Sequence, residues 1–322
     1  MKVPRRVVRA GQGIVVAAIL FGVYRALAPD LSGLSWRDVT ALRPRPAPIL
    51  LATLLLSAMN VAHAFLWRRI MQDLVVGSPD VAATLRVYFV ASLGRYLPGK
   101  LWQLAGVAML SRRAGLPGGA ATACAVIGQL GFVVSGLLLL ALLLPESGSG
   151  MAGLAGASAL IAAAVGVWVL LATRAGHGAR EWLRRRLPAA DTKIGAAFDL
   201  ADRVRPRRAV IWLVGYGLSW VGIGIAFTLF VSGFVPGAAA SVRELSGAIA
   251  ASYLAGFLAL VPAGLGVREA ALSLLLAQIP AVPVAAALVI AVLQRVWFTV
   301  AEILPLAVLP FLGPGTTSEE AA

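Results

Sequence analysis

Along this chain, long uninterrupted apolar runs alternate with short stretches rich in arginine, and neither a strand period nor a surface-helix period dominates. Runs long enough to span a bilayer as helices, about 20 residues each, lie near 12–28, 47–67, 118–144, 151–173, 209–234 and 281–304. Two further apolar regions, 84–112 and 243–279, break in the middle. The first breaks at Leu97-Pro98-Gly99 and the second at Val261-Pro262-Ala263-Gly264-Leu265-Gly266. Each half is only about 12–16 residues, too short to cross unless tilted. The pattern predicts an all-α, polytopic membrane bundle of about six spanning helices plus two broken re-entrant hairpins. An eight-helix bundle with two kinked spans is the alternative.

Composition agrees with this reading. The 322 residues are 60% hydrophobic and 13% charged, with a mean hydropathy of +0.88, more apolar surface than a soluble domain can use. A net charge of +14 would fit nucleic-acid binding, but the positions of the cations exclude it. Arginines gather between the apolar runs: Arg5, Arg6 and Arg9, then Arg68-Arg69, Arg112-Arg113, and a block from Arg174 to Arg208. This loop bias orients a membrane chain. It places both termini in the cytoplasm of an inner-membrane, multi-pass protein. The basic N-terminus followed by the apolar run Gly13–Leu27 imitates a signal peptide, but Arg25 interrupts it, which predicts an uncleaved first helix. One cysteine, Cys124, and two histidines, His63 and His177, provide neither a disulfide framework nor a metal cluster, and no cofactor is expected.

With that orientation, region 84–112 enters from the cytoplasm and 243–279 from the other face. Helix, helix, broken hairpin, helix then occurs twice, over 12–144 and 151–304, as an inverted repeat within one membrane domain. Discontinuous helices meeting near the midplane are a transporter architecture. Non-helical backbone at that depth must be buried in protein or face water, so the breaks at Pro98, Gly99, Pro262, Gly264 and Gly266 are expected to line a cavity. Their open helix ends favour an anion, and Arg95, Lys100 and Arg268 add cations. Only three of the 28 basic residues are lysines, Lys2, Lys100 and Lys193, so the ammonium of Lys100 stands out among guanidiniums. The bland account is that Arg95 and Lys100 snorkel to the interface. Tyr96, Trp102, Gln103 and Glu269 complete the candidate substrate-binding set. Asn60, Gln129 and Gln294 are further candidate cavity residues, or simply links between helices. Arg295 and Glu302, seven apart, share a helix face as candidate pairing or proton-accepting residues. Pairing of Arg268 with Glu302, or of Glu269 with Arg295, would neutralise charges that are costly in lipid. In the basic segment 174–208, Trp182, Leu183, Leu187, Ile194, Phe198 and Ala201 recur at helical spacing among arginines. They read as an amphipathic helix lying on anionic lipid, or as a solvated basic loop.

GRYLPGKLWQ (Gly94–Gln103) followed by VPAGLGVREA (Val261–Ala270) resembles the lysylphosphatidylglycerol synthase transmembrane, or flippase-like, family over roughly residues 12–312. Ala263 stands where that family often has a second glycine. The resemblance implies lipid handling: bifunctional members move an aminoacylated phospholipid between leaflets, and other members serve glycosyltransferases that use polyprenyl-phosphate lipids. The aminoacyltransferase domain of the larger members would lie beyond Ala322, so no enzymatic activity is expected. The function implied is binding and translocation of an anionic lipid head group, phospholipid or polyprenyl phosphate. The expected partners are anionic membrane lipids and a separate glycosyltransferase or lipid-modifying enzyme, not nucleic acid. A small-solute secondary transporter fits the repeat but not the excess of cations. A membrane glycosyltransferase would depend on outer-face carboxylates, of which Asp30, Asp38 and Glu146 are the candidates.

Overall fold

A computed structural model describes residues 42–75, 80–96, 102–143, 161, 163–169, 173–186, 197–237, 240–259 and 264–308. The first expected span, most of 151–173, the candidates Pro98, Gly99, Lys100 and Pro262, and Asp30, Asp38 and Glu146 lie outside the described residues. The described elements are helices and turns: α1 (Pro46–Leu74), α2 (Val81–Ser92) continued by a tighter turn over Leu93–Tyr96, α3 (Trp102–Arg113), α4 (Gly118–Leu143), α5 (His177–Arg186), α6 (Pro206–Phe234), α7 (Val242–Leu258), α8 (Val267–Ala277) and α9 (Val284–Val308). Four of them, α1, α4, α6 and α9, are long and apolar enough to cross a membrane. The protein is a polytopic helical membrane protein.

The two broken regions fold back on themselves. Helix α2 packs on α3, and α7 on α8. At about 1.5 Å per residue the 12-residue α3 is about 18 Å long and the 11-residue α8 about 17 Å. A hydrocarbon core is about 30 Å thick, so each of these two helices is shorter than a straight span. In the first hairpin the close approach depends on Gly94, where a Cβ would stand 2.8 Å from the backbone nitrogen of Gln103. Asp80 starts α2 by accepting a bond from the amide of Ala82 at 3.1 Å. A capping box starts α7: Ser241 Oγ accepts from the Glu244 amide at 3.1 Å, and Glu244 accepts from the Ser241 amide at 2.9 Å. Both devices satisfy amides that the first helical turn leaves open.

By packing, the chain divides into two compact units, Met1–Leu56 with Val221–Ala301 and Ser57–Trp220 with Glu302–Ala322. The divisions fall inside long helices. Each unit holds one broken hairpin.

Within residues 57–220, buried tryptophans join the helices. Trp67 Nε1 donates to the Ala121 carbonyl at 3.2 Å, Trp220 to Phe132 at 2.9 Å and Trp168 to Ala209 at 3.3 Å. An indole N–H removed from water needs an acceptor, and in lipid only another helix can supply one. Phe132 and Trp220 also stack with centroids 4.4 Å apart. Where α1 ends and α6 begins, Asp73 accepts from Trp212 Nε1 at 3.0 Å and pairs with Arg208 at 3.1 Å.

The basic segment differs from the expected single amphipathic helix. Helix α5 covers His177–Arg186, and residues 197–201 are helical. Phe198 and Ala201, expected on the lipid face, are buried in protein instead. The cause is Arg180, only 1% exposed, which donates to the Thr173 carbonyl at 2.6 Å and pairs with Asp202. Asp202 also meets His177 Nδ1 at 3.0 Å. Arg184 bonds Glu181 at 2.8 Å and Asp199 at 2.6 Å. A buried guanidinium needs such partners, and gathering them draws the 197–204 segment onto α5. Leu187 and Ile194 lie outside the described residues.

A pH dependence follows. Burial pushes the Asp202 carboxyl up, but hydrogen bonds and charge from Arg180 and His177 outweigh it and hold the carboxyl below its ordinary value. A depressed carboxyl stabilises the fold above its unfolded value, about 3.9, and that contribution is lost as pH falls through the lower folded value. Asp202→Asn should therefore loosen this segment at pH 7, by about 1.5–3 kcal/mol for a lost charged hydrogen bond. The gap to the unmodified protein should close below about pH 4. Hydrogen-exchange protection of 173–186 in the two proteins reads this directly, and a gap unchanged down to pH 3 would contradict it.

Candidate functional site

Helix α8 begins without a side-chain cap. Its N-cap, Gly266, has φ +80°, and Gly264 before it has φ +65°, both in the left-handed region that glycine adopts without strain. No side chain at the N-cap closes the opening turn of α8, which stands at the positive end of the helix. Arg268 stands in that first turn. Its aliphatic stem lies in a slot floored by two glycines. A Cβ on Gly256 would overlap the Arg268 stem, reaching Cδ at 2.9 Å, and one on Gly264 would stand 3.0 Å from Arg268 Cγ and 3.0 Å from the Gly256 Cα. Ser252 Oγ donates to the Arg268 carbonyl at 2.9 Å, which ties α7 to α8 beside the slot.

Beyond the slot, the guanidinium meets aromatic faces. Its carbon lies 4.9 Å from the Tyr253 ring centre and 5.3 Å from that of Phe298. Such cation–π contacts are worth about 0.5–1 kcal/mol when exposed and about 2 or more when dry. The rings are neutral, so they seat the cation without cancelling its charge.

Next in sequence, Glu269 points elsewhere, as neighbours on a helix do. One of its oxygens pairs with Arg295 Nη1 on α9, the second of the two pairings considered from the sequence. The other oxygen is buried and, among the described residues, has no hydrogen-bond partner, as does Nε2 of Gln294, itself 1% exposed. A buried acceptor and a buried donor left unmade each carry a desolvation cost of about 1–3 kcal/mol. Glu302, further along α9, is buried as well.

The family comparison matches this framework. A model described as the lysylphosphatidylglycerol synthase TM region matches residues 12–301. The chain belongs to the lysylphosphatidylglycerol synthase transmembrane family. Membership ties it to membrane lipid chemistry, and what the family model describes is the membrane region, not an aminoacyltransferase domain. No curated protein matches the chain.

For this family member the structure brings together Arg268, Glu269, Arg295, Gly264 and Gly266 around the α7–α8 hairpin. Of the first motif it places less. Arg95 and Tyr96 lie in the turn after α2, with their side chains outside the described residues. Trp102 opens α3 and is 54% exposed, and Gln103 packs its backbone against Gly94. Gly256, Tyr253 and Phe298 are the site residues the sequence reading did not assign. Phe298 could have been found, because it lies three residues after Arg295 and four before Glu302, on the same helix face.

Proposed function

We propose that this protein binds the anionic head group of a membrane lipid, a phospholipid or polyprenyl phosphate, and carries it between leaflets. The observation that supports this most is Arg268: a cation in a glycine slot, held by two aromatic rings, beside an uncapped helix start. In lipid such a group is costly and marks a functional site by default. The reading includes re-entrant hairpins in an inverted repeat, Arg95 and Lys100 contributing from the first hairpin, and an inner membrane with both termini cytoplasmic. The partly paired Glu269 and the buried Glu302 balance the charge or take up a proton. A separate lipid-modifying enzyme would act on the lipid that is moved.

The test uses purified protein in vesicles that contain a trace of fluorescent phosphatidylglycerol or phosphatidylcholine. Leaflet exchange is read by adding a membrane-impermeant quencher. Exchange of the anionic lipid should rise several-fold over protein-free vesicles, and that of the zwitterionic lipid much less. Equal rates for both lipids, or no lipid exchange alongside uptake of a small phosphorylated solute, would overturn it.

A further inference from the structure

The arginines of the basic segment are sorted by the fold into two sets. Arg180 and Arg184 turn inward onto Asp202, Glu181 and Asp199, so the acids nearest α5 are already engaged. The opposite face of the helix carries Gly178, Trp182, Arg185 and Arg186, all exposed. These positions, 178, 182, 185 and 186, are four, three and one apart and therefore lie along one stripe. Trp182 is 61% exposed and lies under the guanidinium of Arg186, 5.9 Å from its ring centre. Exposed Arg174 adds a further charge just before the helix.

The fold also fixes where this face stands. The amide of Arg174 donates to the Val204 carbonyl at 3.2 Å, and α6, a candidate span, starts two residues later at Pro206. Arg208 in its first turn pairs with Asp73, one residue before the end of the span α1. Helix α5 is thus held at the level where the candidate span α1 ends and the candidate span α6 begins. A tryptophan flanked by arginines at that level suits the head-group region, because the indole has an apolar body with a polar edge and each guanidinium meets a phosphate.

We infer that the Trp182–Arg185–Arg186 face of α5 is a second lipid-binding surface, separate from the α7–α8 site, which docks on the anionic head groups of the protein's own bilayer. Of the lipid-facing set read from the sequence, Trp182 is kept, while Phe198 and Ala201 belong to the interior. Docking through this face would collect anionic lipid beside the spans without a deep pocket. Each arginine near an anionic surface contributes about 1 kcal/mol, roughly a fivefold change in the docking equilibrium.

Gly178 gives a probe position on the same stripe, because a side chain added there meets nothing within 4 Å. Full-length protein carrying Cys124→Ser and Gly178→Cys, labelled with an environment-sensitive fluorophore, is placed in nanodiscs of phosphatidylcholine with or without phosphatidylglycerol. The label should shift to the blue and be quenched by brominated lipid in the anionic discs only. At about 1 M salt, where the Debye length is about 3 Å, the effect should largely vanish. Arg185→Gln with Arg186→Gln should weaken docking about 25-fold, two fivefold steps, while helix content stays unchanged. Equal quenching in neutral discs, indifference to the arginine changes, or a signal that instead depends on protein concentration in detergent (a second copy as the occupant) would each overturn the assignment. Lipid exchange mediated by the α7–α8 site is a separate readout, so either proposal can fail without the other.

Discussion

Replacing Glu269 with alanine should be the most damaging single change in the described hairpins, at about 3 kcal/mol, the lower end for breaking a buried ion pair. The lower end applies because both side chains keep some exposure, 27% for Arg295 and 20% for Glu269. Removing the carboxylate takes from the Arg295 guanidinium its counter-charge on α8, and a cation near mid-bilayer costs about 2.5–3.5 kcal/mol on insertion scales. The two magnitudes agree, which makes loss of the counter-charge the dominant cost. Arg295→Ala should destabilise through the mirror-image cause, a carboxylate left behind. The double variant should recover most of the loss, since it removes both charges. Melting temperature and detergent-soluble yield of the three proteins form a double-mutant cycle. If the double variant is as unstable as the sum of the singles, the pair contributes nothing and Glu269 is held by other contacts.

Much of this fold was legible because lipid imposes simple rules. A run such as 118–144 has to be a helix, since nothing else satisfies its backbone in hydrocarbon, and α4 covers Gly118–Leu143. The hairpin arms could be read from Pro-Gly breaks for the same reason. The basic segment was harder. Its arginines look alike in sequence, and only the three-dimensional placement of Asp202 and Thr173 decides that Arg180 goes inside while Arg185 stays out. Burial of Phe198 follows from that choice and not from the local period. In the second hairpin, VPAGLGVREA marked Arg268 and its glycines. Gly256 escaped notice because its role is negative: it provides room for the stem of a residue twelve positions away, and an empty volume leaves no periodic trace. Tyr253 looked like an ordinary apolar residue, since a ring used for its π face has the same sequence signature as one used for its area.

Arg268→Ala should remove anionic-lipid binding while leaving the fold nearly intact. The structural loss includes its two ring contacts, about 1–2 kcal/mol by the usual worth of cation–π contacts, and the packing of its stem. A head-group phosphate would lose one or two charge-assisted hydrogen bonds at about 1.5–3 kcal/mol each, a drop in affinity of at least about tenfold. Arg268→Lys should restore little. An ammonium keeps the charge but cannot present a planar fork while seated against the rings of Tyr253 and Phe298. Gly256→Ala supplies the control that keeps the guanidinium but moves it: the added methyl overlaps the Arg268 stem, so affinity should fall although every charge remains. Lys100→Ala, in the first motif, should also lose lipid exchange while the protein still melts normally, and Lys100→Arg should be partly active. Glu302→Ala, which empties a buried position on α9, should harm stability before lipid binding. The measurements are lipid binding, by exchange of a labelled anionic lipid, and melting temperature on the same preparations. Arg268→Ala protein that melts normally and still exchanges phosphatidylglycerol at the original rate would show that this arginine only staples α8 to its neighbours. Equal activity of Arg268→Lys would show that a point charge suffices and that the aromatic seat plays no part in recognition.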